Sequence, residues 1–167
     1  MLKRVKQFVR GLFAHLGEKD YTFIAAYLTK QELDLFESMS RYDRRHAVNV
    51  AKYLAGFSTD RELIRVGILH DIGKARCPDL TLVRRSVCVF LEAYFPAYAE
   101  KKAGSDEGKL ARALAVHKNH PQLGANVLLE MGADARLVDL VRLHQNGGAA
   151  EDLTGDIEAL READDKF

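Results

Sequence analysis

The stretch Gly67-Ile68-Leu69-His70-Asp71-Ile72-Gly73-Lys74 decides the fold. Leu63, Val66, Gly67 and His70 fall at i, i+3, i+4 and i+7, the spacing of one helix stripe. An apolar helix from about Leu63 therefore carries an imidazole into a core-facing position and stops at a glycine. Asp71 continues the adjoining apolar row of Ile64 and Ile68. A carboxylate is almost never buried without a partner, and a cation held by both side chains is the most economical one.

Toward the N-terminus, Thr59 with Glu62 reads as a capping box that launches this helix, and Gly56 ends the helix before it. That earlier helix begins near Tyr42 or Asp43 and aligns His46, Val50, Tyr53/Leu54 and Phe57, so His46 is a second histidine on a core-facing row. Thr29 and Glu32 form another capping box, opening a helix through Leu33, Leu35, Phe36 and Met39, and Tyr21 to Leu28 is a short apolar helical stretch. Residues 1–17 read as a basic amphipathic helix, with Leu2, Val5, Phe8/Val9, Leu12/Phe13 and Leu16 on one face and Lys3, Arg4, Lys6, Gln7 and Arg10 on the other. Such a helix packs onto its own domain or lies on an anionic membrane surface. Charges interrupt its apolar residues, so it is not a signal peptide, and no run in the chain approaches the length of a spanning helix.

Toward the C-terminus, Ala75 to Asp79 is a loop, and a helix follows from about Leu82 to Tyr94, broken by Pro96. Glu100 to Gly108, charged and glycine-containing, reads as a surface loop near the site. From Lys109 a stripe of Leu110, Ala113, Leu114 and His117 resumes. His120-Pro121 has the form of a helix start, with Leu123, Val127, Leu128 and Met131 behind it and Gly132 at its end. Asp134 caps a further helix with Leu137, Leu140, Val141 and His144 on one stripe. Asn146-Gly147-Gly148 is a turn, and the last helix, from roughly Asp156, places Ile157, Leu160 and Asp164 on one face. Alternating apolar runs bounded by turn dipeptides are absent, so the predicted class is all-α.

A chain of 167 residues with 47% hydrophobic and 29% charged residues is ordinary soluble composition. Residues 41–167 read as the principal domain and 1–40 as a helical extension packed on it. Twenty-five basic against twenty-four acidic residues leave no global field of the kind that marks a nucleic-acid partner. Cys77 and Cys88 lack a CxxC spacing and suit a reducing, cytoplasmic setting.

His46, His70, Asp71, His120, His144 and Asp164 thus lie on or beside apolar stripes of at least five helical segments. Left unpaired, each would cost on the order of 1–3 kcal/mol, so a shared central partner is the better solution. Imidazole with carboxylate suits Mn, Fe, Zn, Ni or Mg. The order of these residues, with His-Asp-Ile-Gly-Lys at its centre, resembles the signature of the HD-domain metal-dependent phosphohydrolases. His120 in His-Pro-x-x-Gly and His144 resemble the extra histidines that HDIG and HD-GYP members use for a second metal. The resemblance runs from about Arg41 to the C-terminus.

What the resemblance implies is an HD-like helical bundle holding one or two divalent cations. His46, His70, Asp71 and Asp164 would bind the first, with Asp71 bridging to a second held by His120 and His144. A metal-activated water would attack a phosphate mono- or diester, a small molecule of nucleotide type, and Lys74 would contact the scissile phosphate. His117 could touch substrate, and one cation among Arg41, Arg44 and Arg45, with Arg45 taken as the representative, could gather phosphate beside His46. The Gly-Tyr-Pro segment of cyclic-di-GMP phosphodiesterases is absent, and Gln145-Asn146 follows His144. Two other readings use the same residues differently: a nucleotide-sensing or scaffold module that keeps the fold with weak catalysis, and a protein docked to a membrane through residues 1–17.

Overall fold

A computed structural model describes residues 15–105, 107–145 and 151–167. The regular elements among them are helices: α1 (Glu18–Ala25), α2 (Lys30–Glu37), α3 (Arg41–Ala55), α4 (Arg61–Leu69), α5 (Leu82–Tyr94), α6 (Pro96–Ala103), α7 (Gly108–Glu130), α8 (Ala135–Leu143) and α9 (Thr154–Lys166), with short 3-10 turns over Ile72–Arg76 and Glu151–Leu153. The all-α expectation holds. The amphipathic segment before His15 and the Asn146-Gly147-Gly148 turn lie outside the described residues. No helix among the described residues is long and apolar enough to cross a membrane.

Local chemistry sets most of the boundaries. Glu32 and Thr29 close the expected capping box, with Thr29 N donating to Glu32 Oε2 at 2.9 Å and Glu32 N to Thr29 Oγ1 at 3.3 Å. The same carboxylate receives Arg65 of α4 at 2.6 Å, which ties α2 to α4. Ser40 caps α3, Thr81 caps α5 and Asp134 caps α8. At α4 the cap is Asp60 rather than Thr59: its Oδ1 accepts from the amides of Glu62 and Leu63. A carboxylate there satisfies the free amides and complements the helix dipole.

Three expectations are corrected. Phe57 lies past the end of α3 and is 58% exposed, so the core stripe of that helix stops at Leu54. Glu100 to Ala103 are the last residues of α6 rather than a loop, because Pro96 starts a new helix at its first position instead of merely ending the old one. His120-Pro121 opens no helix: it sits in the middle of the 23-residue α7.

Two apolar clusters organise the chain. The larger joins Ile24, Phe36, Val50, Leu54, Ile64, Ile68, Leu128, Leu140 and Leu160 across α1 to α4, the second half of α7, α8 and α9. Leu16, Ile24, Phe36 and Met39 belong to it, so residues 16–39 share one core with the rest. The smaller holds Cys77, Leu80, Cys88, Ala99, Ala113 and Leu114, from the segment before α5, from α5 and α6, and from the first half of α7. α7 therefore threads both clusters, and His120-Pro121 falls between them. The 3-10 turn after α4 packs backbone to backbone on α7 there. A Cβ on Gly73 would lie 2.0 Å from the carbonyl oxygen of His120 and 2.7 Å from the amide of Gly124.

Candidate metal centre

The six predicted polar residues converge on the junction between the two clusters, with Asp71 as the hub. Its Oδ2 lies 3.8 Å from His46 Nε2 and 3.6 Å from His70 Nε2, and its Oδ1 lies 3.1 Å from His120 Nε2 and 4.0 Å from His144 Nε2. Asp164 of α9 completes the first side, with Oδ1 at 2.8 Å from His46 Nε2 and 3.6 Å from His70 Nε2. The arrangement contains two groups, His46, His70 and Asp164, and Asp71, His120 and His144, within each of which the ligand atoms lie within 4.8 Å of one another.

Three of the imidazoles are fixed by the same device. His70 Nδ1 bonds the carbonyl of Gly67 at 3.0 Å, His120 Nδ1 that of His117 at 2.7 Å, and His144 Nδ1 that of Val141 at 2.7 Å. Each carbonyl is three residues back and is free for a structural reason. His70 and His144 cap the C-terminal ends of α4 and α8, where the last carbonyls lose their helical donors. Inside α7 the donor is missing because residue i+4 from His117 is Pro121, which has no N–H. In all three, Nδ1–H donates to the carbonyl, so Nε2 is the nitrogen left to ligate.

Those three Nε2 atoms are buried and make no hydrogen bond. Orphaned buried acceptors facing a buried carboxylate are the mark of a cation site, and histidine held through its other nitrogen by a backbone carbonyl is the usual support of a metal ligand. The residues present fit one or two divalent cations.

Electrostatics agree. Burial disfavours the Asp71 carboxylate, yet Lys74, His70 and His120 outweigh it and hold its pKa well below the ordinary value. Burial likewise opposes Asp164, and its hydrogen bond with His46 and the nearby His70 imidazole carry its pKa far down. Burial, and then Lys74, lowers the pKa of His120, while burial and His70 bring His144 down to about 3. His70 goes the other way: the carboxylates of Asp71 and Asp164 overcome its burial and raise it. At neutral pH both carboxylates are charged, and His120 and His144 are neutral, the form in which they ligate.

The remaining predicted residues are placed less uniformly. Lys74 Nζ donates to Asp71 Oδ2 at 2.6 Å with its side chain only 10% exposed, so it is part of the centre rather than a solvated helix-end charge. His117 stacks on His120, with ring centroids 6.3 Å apart, and its Nε2 is 3.4 Å from Glu92. It forms one wall of a cavity of about 330 Å³ that Glu92, Pro96, Ala99 and Gln145 also line. Burial, and then Lys74, drops its pKa to about 3. Arg45 is corrected: its guanidinium pairs with Asp20 at 2.8 Å and donates to the His15 carbonyl, which commits it to anchoring α1. One helical residue away from His46, it falls on a different face of α3.

Other residues shape the centre without having stood out in the sequence. Arg161 of α9 donates to the carbonyls of Leu143 and His144 at 2.9 and 2.7 Å and so caps the end of α8 where His144 sits. Arg85 of α5 grips Asp43 of α3 and covers Tyr42, which stacks on His46. Arg85 belongs to an Arg-Arg pair early in its helix, a pattern shared with any solvated face. The arginines differ from surface charges only through long-range packing.

Comparison with curated proteins and with solved structures gave no match. The model of the HD domain matches residues 44–165, a span that contains all six residues of the centre. On that match, which covers well over half of its length, the chain belongs to the HD domain family.

Proposed function

We propose that this chain is a metal-dependent phosphohydrolase that cleaves a small phosphate mono- or diester, a nucleotide or a related compound. The observation that carries the reading is the set of three buried, unbonded Nε2 atoms of His70, His120 and His144 gathered about the two oxygens of Asp71. Membership of a family made up mostly of metal-dependent hydrolases supports the same reading.

In this reading His46, His70 and Asp164 would hold one cation and His120 and His144 the other, with Asp71 available to both. Cations bound there supply Lewis acidity that makes water nucleophilic and offsets charge on phosphoryl oxygens. The chain's own residues do the rest. His70, whose proton the neighbouring carboxylates favour in the metal-free chain, would release it to solvent on binding a cation through Nε2. Lys74, tied to Asp71 beside the centre, offers its ammonium to a phosphoryl oxygen. The cavity against His117 and Gln145 receives the alcohol part of the ester, and the depressed pKa of His117 keeps its ring neutral there. Cys77 and Cys88, both free and buried, fit a reducing cytoplasmic setting.

The test is the metal content of protein purified without chelator, joined to hydrolysis of a phosphodiester and a nucleotide panel after Mn or Fe reconstitution. Two ions per chain with turnover are expected, and both are lost in Asp71→Ala. Undiminished hydrolysis by Asp71→Ala, or a chain that takes up no ion under any reconstitution, overturns the reading.

A further inference from the structure

His46 differs from the other three histidines of the centre. Their rings are anchored through Nδ1 to a backbone carbonyl, whereas Nδ1 of His46 is buried and makes no hydrogen bond. A ring held only at Nε2, by Asp164 at 2.8 Å, would be free to swing about that contact. What fixes it instead is a flat face. The Tyr42 ring lies parallel to the imidazole, 12° between planes and 6.3 Å between centroids, and His70 meets its edge at 5.4 Å.

Tyr42 is itself held. The guanidinium of Arg85 sits 5.2 Å from its ring centroid. Arg85 in turn donates from one terminal nitrogen to Asp43 Oδ2 at 2.8 Å, and its other terminal nitrogen lies 2.5 Å from Oδ1 as an ion pair, with the two side chains 12% and 4% exposed. Attraction between the charges keeps the Asp43 carboxyl ionised despite its burial. Stability does not explain the pair. A buried ion pair is commonly matched or bettered by apolar residues of the same size, and α5 already has the second apolar cluster to pack on through Cys88. The pair bridges α3 to α5 beside the His46 ring.

We propose that Arg85 and Tyr42 are positioning residues for His46: Asp43 orients the guanidinium, the guanidinium seats the Tyr42 ring, and that ring sets the plane in which the imidazole faces Asp164 and Asp71. The column substitutes for the carbonyl anchor that His46 lacks, and it makes the cation affinity of the first ligand group depend on a helix that contributes no ligand. The inference rests on the metal-centre reading above.

The test is calorimetric titration of the stripped full-length chain with Mn, comparing the wild type with Arg85→Met, Tyr42→Leu and Tyr42→Phe, and thermal melting of the same metal-free proteins. Arg85→Met and Tyr42→Leu should weaken one of the two sites by about 10–100-fold, the range seen for supports of metal ligands. The other site should stay within twofold of wild type. Tyr42→Phe, which keeps the flat face, should bind both ions as the wild type does. The metal-free melting temperature of Tyr42→Leu should change little, because the ring acts on a ligand rather than on the core. That of Arg85→Met should fall, because Asp43 is left buried without its partner, so for that variant the difference between the two sites is the readout. Two wild-type-like sites in both Arg85→Met and Tyr42→Leu overturn this inference alone. So does equal loss at both sites together with a lower melting temperature, since that is a merely structural role. Uptake of no ion by the wild type overturns the metal-centre reading and this inference with it. Should Arg85→Met not fold, the contrast between Tyr42→Leu and Tyr42→Phe decides.

Discussion

At the scale of the residue, three of the four histidines of the centre spend Nδ1 on a backbone carbonyl so that Nε2 is left free. His46, His70, Asp71 and His144 were legible in the sequence because each falls on an apolar stripe, and burial of a polar group is rare enough to be informative, whereas His120 stood out through its His-Pro-x-x-Gly context. Arg45 was misjudged for the complementary reason. Adjacency to His46 in sequence means a turn of about 100° on a helix, and nothing local reveals that Asp20, 25 residues away, is its partner. Gly73 shows a constraint of another kind. A Cβ there meets backbone on α7, at the His120 carbonyl, and backbone cannot rotate aside as a side chain can. Gly73→Ala should therefore push the 3-10 turn off α7, cost about 3 kcal/mol as overpacking does, and lower the melting temperature by roughly 10 °C. Because the displaced groups are Asp71's own turn and His120, metal uptake should fall with it. A variant that melts and binds metal as the wild type does would show that the turn yields without cost.

At the scale of the element, α7 explains both a misreading and a function. His-Pro reads as a helix start because proline is most at home at the first helical position. In the structure Pro121 sits mid-helix, where it removes a hydrogen bond and costs on the order of 3 kcal/mol. The lost bond is the one the His117 carbonyl would have accepted from residue 121, and His120 Nδ1 takes its place at 2.7 Å. The proline thus exchanges helix stability for an oriented imidazole. Sequence patterns alone did not show the exchange, since it depends on the helix continuing. Pro121→Ala restores an N–H that competes for that carbonyl. The variant should melt higher, by about 1–3 kcal/mol of added stability, yet bind the ion of the His120 and His144 group about tenfold more weakly. Differential scanning calorimetry and a metal titration read the two effects separately. A gain of stability with undiminished affinity would remove the proline from the account of the centre.

At the scale of the whole molecule, the centre occupies the junction of two apolar clusters, and its titratable groups make the metal-free chain sensitive to acid in a window set by their pKa values. His144 and His117 are held at about 3, by burial first and by His70 and Lys74 respectively after it. In the unfolded chain both titrate near 6.5. Between those limits the unfolded state binds protons that the native state refuses, so stability falls as pH falls, by about 1.4 kcal/mol per unit for each group. His70 adds no slope there. Its raised pKa means that it is protonated in both states below 6.5, and its stabilising effect is lost only as pH rises above that. Asp71 and Asp164, depressed below the ordinary carboxylate value of 3.8, lose their contribution only under more acidic conditions. From pH 6.5 to 5 the chain, kept metal-free with chelator, should therefore lose on the order of 4 kcal/mol. That is a large share of the 5–15 kcal/mol typical of a domain. Urea denaturation at three pH values across this window measures it directly, as a falling midpoint at constant m-value. A midpoint flat over the same range would mean that the two imidazoles accept protons in the native state. The neutral, ligand-ready His144 on which the metal-centre reading depends would then be absent.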